Sequence, residues 1–436
     1  MTSQQHVAVI GGGYAGMAAA AELSSRGIAV TVFEAARTLG GRARRVDRHG
    51  LALDNGQHIL IGAYVELLRL MRLVGADPAQ SLTRLPLTLV FPRTSPDSPG
   101  FKLQAPHLPA PLHLAVALLS ARGLPLSERL AAVRFMRAMQ RRKFRLAQDT
   151  TLSALLDAHL QPERLRRYLW RPLCISALNT PADAASAQIF LNVLRDTLAA
   201  QRAASDLLLP RVDLSALFPE PAADYVRRQG GEVLLGATIH AVRREEKRYR
   251  LAGDPQNRLF DQVIAAVPPF RLGALVTALP ELKETTDYVD AFKYEAILTA
   301  YLRYPQPVRL PERMVGIAGG TAHFLFSRES DRMVVAVISA GGPHLALDRE
   351  ALAKRLHGEI QTIAGPLPEP EWTQIITEKR ATFACTPNLK RPAARTALPG
   401  FLLAGDYVAS DYPATLEAAV RSGVACARII ADATRD

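Results

Sequence analysis

The stretch HVAVIGGGYAGMAAAAELSSRGIAVTVFE, residues 6–34, decides the fold. His6 to Ile10 is β-branched and apolar and reads as a strand; Tyr14 to Arg26 is alanine-rich and reads as a helix; Ile28 to Phe33 is again strand-like. The three make a β-α-β unit in about thirty residues. Between the first strand and the helix, Gly11, Gly13 and Gly16 fit the pattern G-x-G-x-x-G, with Tyr14 and Ala15 inside it. Gly11 permits a tight turn, Gly13 lets backbone amides approach a pyrophosphate, and Gly16 lets the helix pack close to the strand. Glu34 closes the second strand eighteen residues after Gly16. An acid there accepts hydrogen bonds from a ribose diol and repels a 2′-phosphate, which argues against NADP. The plainer reading, a ligand-free glycine turn followed by a solvated acid, leaves the combined placement unexplained.

Ala35 and Arg37 lead directly into Gly40-Gly41-Arg42. Two glycines beside arginines suit a second backbone approach to phosphate, with Arg42 as a charged clamp. A surface turn would account for the glycines but not for their place just after the ribose acid. A dinucleotide larger than NAD needs such an element, and FAD is one.

At 436 residues and 47.4 kDa the chain exceeds what one compact core usually supports, so two lobes are expected. Its 48% hydrophobic and 22% charged content excludes a disordered or fibrous protein. No run approaches the roughly 18 apolar residues of a spanning helix. Three cysteines, Cys174, Cys385 and Cys426, form no Cys-x-x-Cys pair, so neither a disulfide framework nor a metal site is expected. With no signal-like layout before His6, a reducing cytoplasm is the expected location.

A Pro-rich passage, Pro86 to Pro111, marks a lobe crossing; helical patterns follow over about Ser127–Leu160 and Ala184–Arg202. Short strands return over Gly230–Arg250 and Asp261–Val267, ending at Pro268-Pro269. A mixed region runs to about Thr382, and the final segment reads as strand Phe401–Leu403, loop, and helix Leu416–Ile430. The expected fold is therefore α/β: a Rossmann domain assembled from separated segments, 1–80, 211–270 and 386–436. An α+β substrate domain takes 81–210 and 271–385.

The run from Gly11 through Glu34 to Arg42 resembles the flavin-containing amine oxidase and phytoene desaturase superfamily. Asp54-Asn55-Gly56-Gln57-His58 is similar to its D-x-G-x-H element, which lies near the flavin. Gly405-Asp406, followed by Pro413-Ala414-Thr415-Leu416-Glu417-Ala418-Ala419, resembles its C-terminal signature, with Ala414 and Ala418 where glycines are usual. Ile239 aligns with the residue whose backbone meets adenine. Within the superfamily, residues 54–64 (DNGQHILIGAY) and 169–180 (LWRPLCISALNT) are similar to the squalene-associated FAD-dependent desaturases, the hydroxysqualene dehydroxylases. The resemblance implies a glutathione-reductase-like FAD domain. It also implies FAD held by Gly11, Gly13, Tyr14, Ala15, Gly16, Glu34, Ala35, Arg37, Gly40, Gly41, Arg42, Gly56, Gln57, His58, Ile239, Gly405, Asp406, Thr415 and Leu416.

The same resemblance implies a long isoprenoid substrate and reductive removal of the hydroxyl of hydroxysqualene, on the route to hopanoids or related triterpenes. His58 is the one candidate side chain for a catalytic part, and its alternative is an orienting hydrogen bond; Trp170, Pro172 and Leu173 read equally well as core. Desaturation of a carotenoid precursor, amine oxidation, and a flavin-bearing membrane scaffold without turnover are the competing readings. With a single G-x-G-x-x-G there is no evident NAD(P)H domain, so electrons are expected from an external donor.

The net charge of +12 is uneven: residues 122–145 hold eight basic residues and one acid, Glu128. On a helix Arg134, Arg137, Arg141 and Arg145 share one stripe, with Ala132, Phe135, Met136 and Met139 opposite. Arginines beside apolar groups suit an anionic membrane surface, with Phe135, Met136 and Met139 expected to enter the interface. A helix docked on its own protein with a solvated basic face is the alternative. Nucleic acid is not expected as a partner, because no reader motif is present. Peripheral attachment to the inner face of the cytoplasmic membrane follows as an expectation.

Overall fold

The computed structural model describes residues 5–94, 99–199 and 201–433. Residues 95–98 of the Pro-rich passage and residue 200 of the second helical pattern lie outside the described residues, as do 1–4 and 434–436. The strands that matter here are β1 His6–Ile10, β2 Ala29–Glu34, β3 Glu232–Leu235, β4 Gln262–Ala265, β5 Tyr294–Arg303, β6 Met314–Gly316, β7 Phe324–Arg328, β8 Met333–Ser339, β9 Trp372–Phe383 and β10 Phe401–Leu403. The helices that matter here are α1 Tyr14–Ser24, α2 Val65–Val74, α3 Leu112–Ser120, α4 Leu126–Arg141, α5 Pro219–Arg228, α6 Arg349–Ala364 and α7 Leu416–Ala433.

The first sheet has the order β3-β2-β1-β4-β10, and every neighbour pair is parallel. Its strands come from three stretches far apart in sequence. Side chains alternate across a strand, so Val7 and Val9 of β1 pack with α1, α5 and α7 while Ala8 and Ile10 join the core on the other side. Alanine favours helix and takes little room, and every residue of α1 is buried. A side chain at Gly423 of α7 would sit 2.1 Å from the Ala15 carbonyl oxygen, so the two helices cross at close range. Glu22, buried on α1, pairs with Arg26 and Arg69, each at 2.7 Å.

The second sheet is antiparallel in the order β6-β7-β8-β5-β9. Leu298, Ala300 and Leu302 of β5 face α6, meeting Leu352, Leu356 and Ile360. The alternate residues Thr299 and Tyr301 point the other way, to residues 54–57. One strand thus carries a core on one side and supports the site on the other.

Two expectations are corrected. The helical pattern over 127–160 is broken: α4 ends at Arg141, Lys143 and Phe144 take φ of 52° and 56°, and a separate helix covers Leu152–Ala158. Arg145 therefore lies beyond the helix that carries Arg134, Arg137 and Arg141. Phe135, Met136 and Met139 do not face a membrane; packing against Trp170 and its neighbours buries all three. Among the described residues no helix is long and apolar enough to cross a membrane.

The candidate dinucleotide site

The C-terminal ends of β1, β2 and β10 deliver Gly11, Glu34 and Gly405 to the same edge of the parallel sheet, where open α/β sheets bind ligands. Gly11 turns at φ 114°, its amide donating to the Phe33 carbonyl at 2.8 Å. A side chain there would meet the Ala266 carbonyl oxygen at 2.5 Å, and one at Gly16 would meet that of Gly11 at 1.9 Å. The second glycine pair lies against the first: Gly40 N–H donates to the Gly12 carbonyl at 2.9 Å, and Gly13 bridges Gly40. The first bond of α1 runs from Met17 N–H to the Gly13 carbonyl. The amides of Tyr14, Ala15 and Gly16 therefore have no partner within the helix. No acid occupies that first turn, so the helix end suits a phosphate.

Glu34 is anchored rather than loose. One carboxylate oxygen accepts from Gly12 N–H at 2.6 Å and the other from Ala36 N–H at 2.7 Å. Each oxygen keeps a lone pair for a ribose hydroxyl. Ala237 N–H donates to the Glu34 carbonyl and Gly236 N–H to that of Ala36. These bonds bring the 236–239 loop, with Ile239, alongside the acid. Ala35 and Arg37 are exposed on the outer side of the turn.

Arg42 reaches across to the other end of the chain. Its guanidinium lies 2.6 Å from the Asp406 carboxylate and donates to the Ala381 carbonyl at 2.5 Å. Desolvation opposes its charge, but Asp406 outweighs that and holds Arg42 above the usual arginine range. Gly405 N–H donates to Ser422 of α7, and Thr415 caps α7 by accepting from Ala418 N–H at 3.1 Å. Leu416 thus opens a second helix N-terminus at the same edge.

Two further residues brace this edge, Arg391 holding the loop and Glu417 holding α2, and neither is a site residue expected from the sequence. Arg391 donates to the carbonyls of Asp406, Tyr407, Val408, Ser410 and Tyr412, and stacks on Phe383. Glu417 is fully buried and accepts from the amides of Glu66 and Leu67, capping α2, and from Arg421. Arg391 carried no signal, because its partners are carbonyls; Glu417 stood inside a quoted motif.

Residues 54–58 form the floor. Gln57 N–H donates to Thr299 at 3.3 Å, and Tyr301 hydroxyl donates to the Asp54 carbonyl at 3.0 Å. A side chain at Gly56 would meet the Thr299 hydroxyl at 3.7 Å, in ordinary van der Waals contact. Burial raises Asp54 to about 6, although its carboxylate accepts from Leu214 N–H at 2.8 Å. His58 places Nδ1 2.7 Å from the Gly56 carbonyl. A carbonyl only accepts, so Nδ1 carries the hydrogen and Nε2 is bare. Burial and then Arg42 lower its pKa, with the Gly56 bond opposing them, so the imidazole is neutral near pH 7. The stretch 169–180 is mainly structural: Trp170 is core and donates to Gln161, while Asn179 joins Thr382 and Ala340. Leu173 and Trp170 also line an apolar crevice with Leu89, Leu103, Leu114 and Met136.

Two helix N-termini, a glycine cradle, an anchored ribose acceptor and an arginine–aspartate pair fit a flavin dinucleotide. The profile of the family described as flavin containing amine oxidoreductase matches residues 14–431. A hydroxysqualene dehydroxylase of Zymomonas mobilis is 32% identical over 95% of this chain and 96% of its own. A zeta-carotene desaturase of Solanum lycopersicum is 22% identical over 96% of this chain and 79% of its own. Among solved structures, a putative protoporphyrinogen oxidase from Exiguobacterium superposes with a TM-score of 0.69 at 18% identity, covering 99% of both chains.

Proposed function

The chain is an FAD-dependent oxidoreductase of the flavin-containing amine oxidoreductase family, and on that premise we propose that it removes the hydroxyl of hydroxysqualene reductively, giving squalene on the route to hopanoids or related triterpenes. The observation that carries this reading is the end-to-end likeness to a hydroxysqualene dehydroxylase, well above the likeness to a carotene desaturase.

FAD held at this edge and reduced by an external donor would supply a hydride to the carbon that loses oxygen. The carbon–oxygen bond breaks, and the oxygen leaves as water after gaining a proton. The chain's own residues bind and orient. Tyr14 and Ala15 amides would meet the phosphates and Glu34 the ribose, while the Arg42–Asp406 pair fixes the loop entering α7. His58 has no free hydrogen to supply that proton, because the hydrogen on Nδ1 is held by the Gly56 carbonyl.

The test is product analysis. Protein with chemically reduced FAD, incubated without oxygen, should turn hydroxysqualene into squalene and leave zeta-carotene unchanged. Conversion of zeta-carotene by the oxidised protein, with hydroxysqualene untouched, would favour the desaturase reading instead.

A further inference from the structure

Helices α3 and α4 are apolar on two sides, and the protein core uses only one of them. On α3, Leu114, Ala117 and Leu118 are buried, while Leu112, Val116 and Leu119 are exposed. At helical spacing the exposed three fall within about 60° of one another. On α4, Leu126 is 62% exposed and Leu130 40%. The same face continues toward the C-terminus as Arg137 and Arg141, with Arg134 at its flank, all exposed. The turn between the helices is fixed. Arg129 donates to the Leu124 carbonyl at 2.9 Å and to the Leu119 carbonyl at 3.0 Å, tying the C-terminal end of α3, with Leu119, to the start of α4, with Leu126.

We propose that this end of the α3–α4 pair docks on an anionic lipid bilayer. The leucines and Val116 enter the interface, and Arg134, Arg137 and Arg141 lie at the headgroups. The gradient along α4, leucines first and arginines after, matches the gradient from acyl chains to phosphates. A second copy of the chain fits poorly, since a symmetric contact would bring the exposed Arg134, Arg137 and Arg141 against their own copies. The inner faces of the same helices supply Leu114, Leu118 and Met136 to the apolar crevice. One pair of helices therefore separates the crevice from the docking surface. Docking does not rest on the reaction proposed above, because it is measured without substrate.

The experiment is flotation of the FAD-loaded protein with vesicles of phosphatidylcholine containing about one third phosphatidylglycerol, and with phosphatidylcholine alone. Wild type should float with the anionic vesicles at low salt, and less so at high salt. Leu119→Ser/Leu126→Ser/Leu130→Ser should lower binding by about tenfold or more on anionic vesicles. Arg134→Gln/Arg137→Gln/Arg141→Gln should remove the preference for anionic lipid. An unchanged flavin spectrum and thermal midpoint show that each variant is folded. Absence of wild-type binding, or equal binding by the leucine variant, would overturn the proposal. A wild-type dimer that the leucine variant converts to monomer would also overturn it, in favour of a second copy.

Discussion

The Arg42 guanidinium lies 2.6 Å from the Asp406 carboxylate, although 364 residues separate them. The pair closes the glycine edge of the sheet with the loop that enters α7. Because the Asp406 side chain is only 8% exposed, removing Arg42 strands a buried charge. Arg42→Met alone should cost about 3–5 kcal/mol of stability. The double variant Arg42→Met/Asp406→Asn should recover part of that loss. A double-mutant cycle by thermal unfolding reads the coupling, and strict additivity would show that the contact carries no energy.

Glu34 has two tasks, fixing the Gly12 and Ala36 amides and accepting from ribose. Glu34→Ala should therefore weaken FAD binding by about 1–3 kcal/mol, measured by titrating FAD into the stripped protein. Glu34→Gln should also weaken it, since an amide NH2 cannot accept from either backbone N–H. Unchanged affinity in both variants would remove Glu34 from the site.

Asp54 makes stability depend on pH with a definite sign. Its folded pKa is raised to about 6 from 3.8, so the folded protein holds that proton more tightly than the unfolded chain. The contribution is full below about pH 4 and is lost as the pH rises through about 6, a change of about 3 kcal/mol. Asp54→Asn lacks the term. The stability of the variant minus that of wild type should rise between about pH 4 and pH 7 by an amount of that order. Thermal melts of both proteins across that range check it, and a flat difference would contradict the burial of a carboxyl at this position.

Glu417 caps α2 from within α7. Glu417→Ala leaves the amides of Glu66 and Leu67 unsatisfied and Arg421 without its partner, which should cost about 2–4 kcal/mol. Glu417→Gln keeps one acceptor and should cost less. Equal melting of Glu417→Ala and wild type would show the cap to be idle.

Local signals were legible in the sequence where they decide local structure. The strand at His6–Ile10, the start of α1 at Tyr14, the strand Phe401–Leu403 and the start of α7 at Leu416 all stand where composition and glycine spacing place them. The break after α4 was not legible, because Lys143 and Phe144 adopt left-handed backbone without a glycine or proline to announce it. Periodicity separated the arginines of α4 from Phe135 and Met139, but it does not say which face meets protein. The exposed leucines of α3 passed unnoticed for the same reason. Arg391 and Glu417 hold the site through partners that only the fold brings near.

The most direct test is a single turnover. Protein carrying one reduced FAD, mixed without oxygen with hydroxysqualene, should regain the oxidised flavin spectrum and form about one squalene per flavin, with the missing oxygen recovered as water. Flavin that stays reduced in the presence of hydroxysqualene, with no squalene formed, would contradict reductive dehydroxylation.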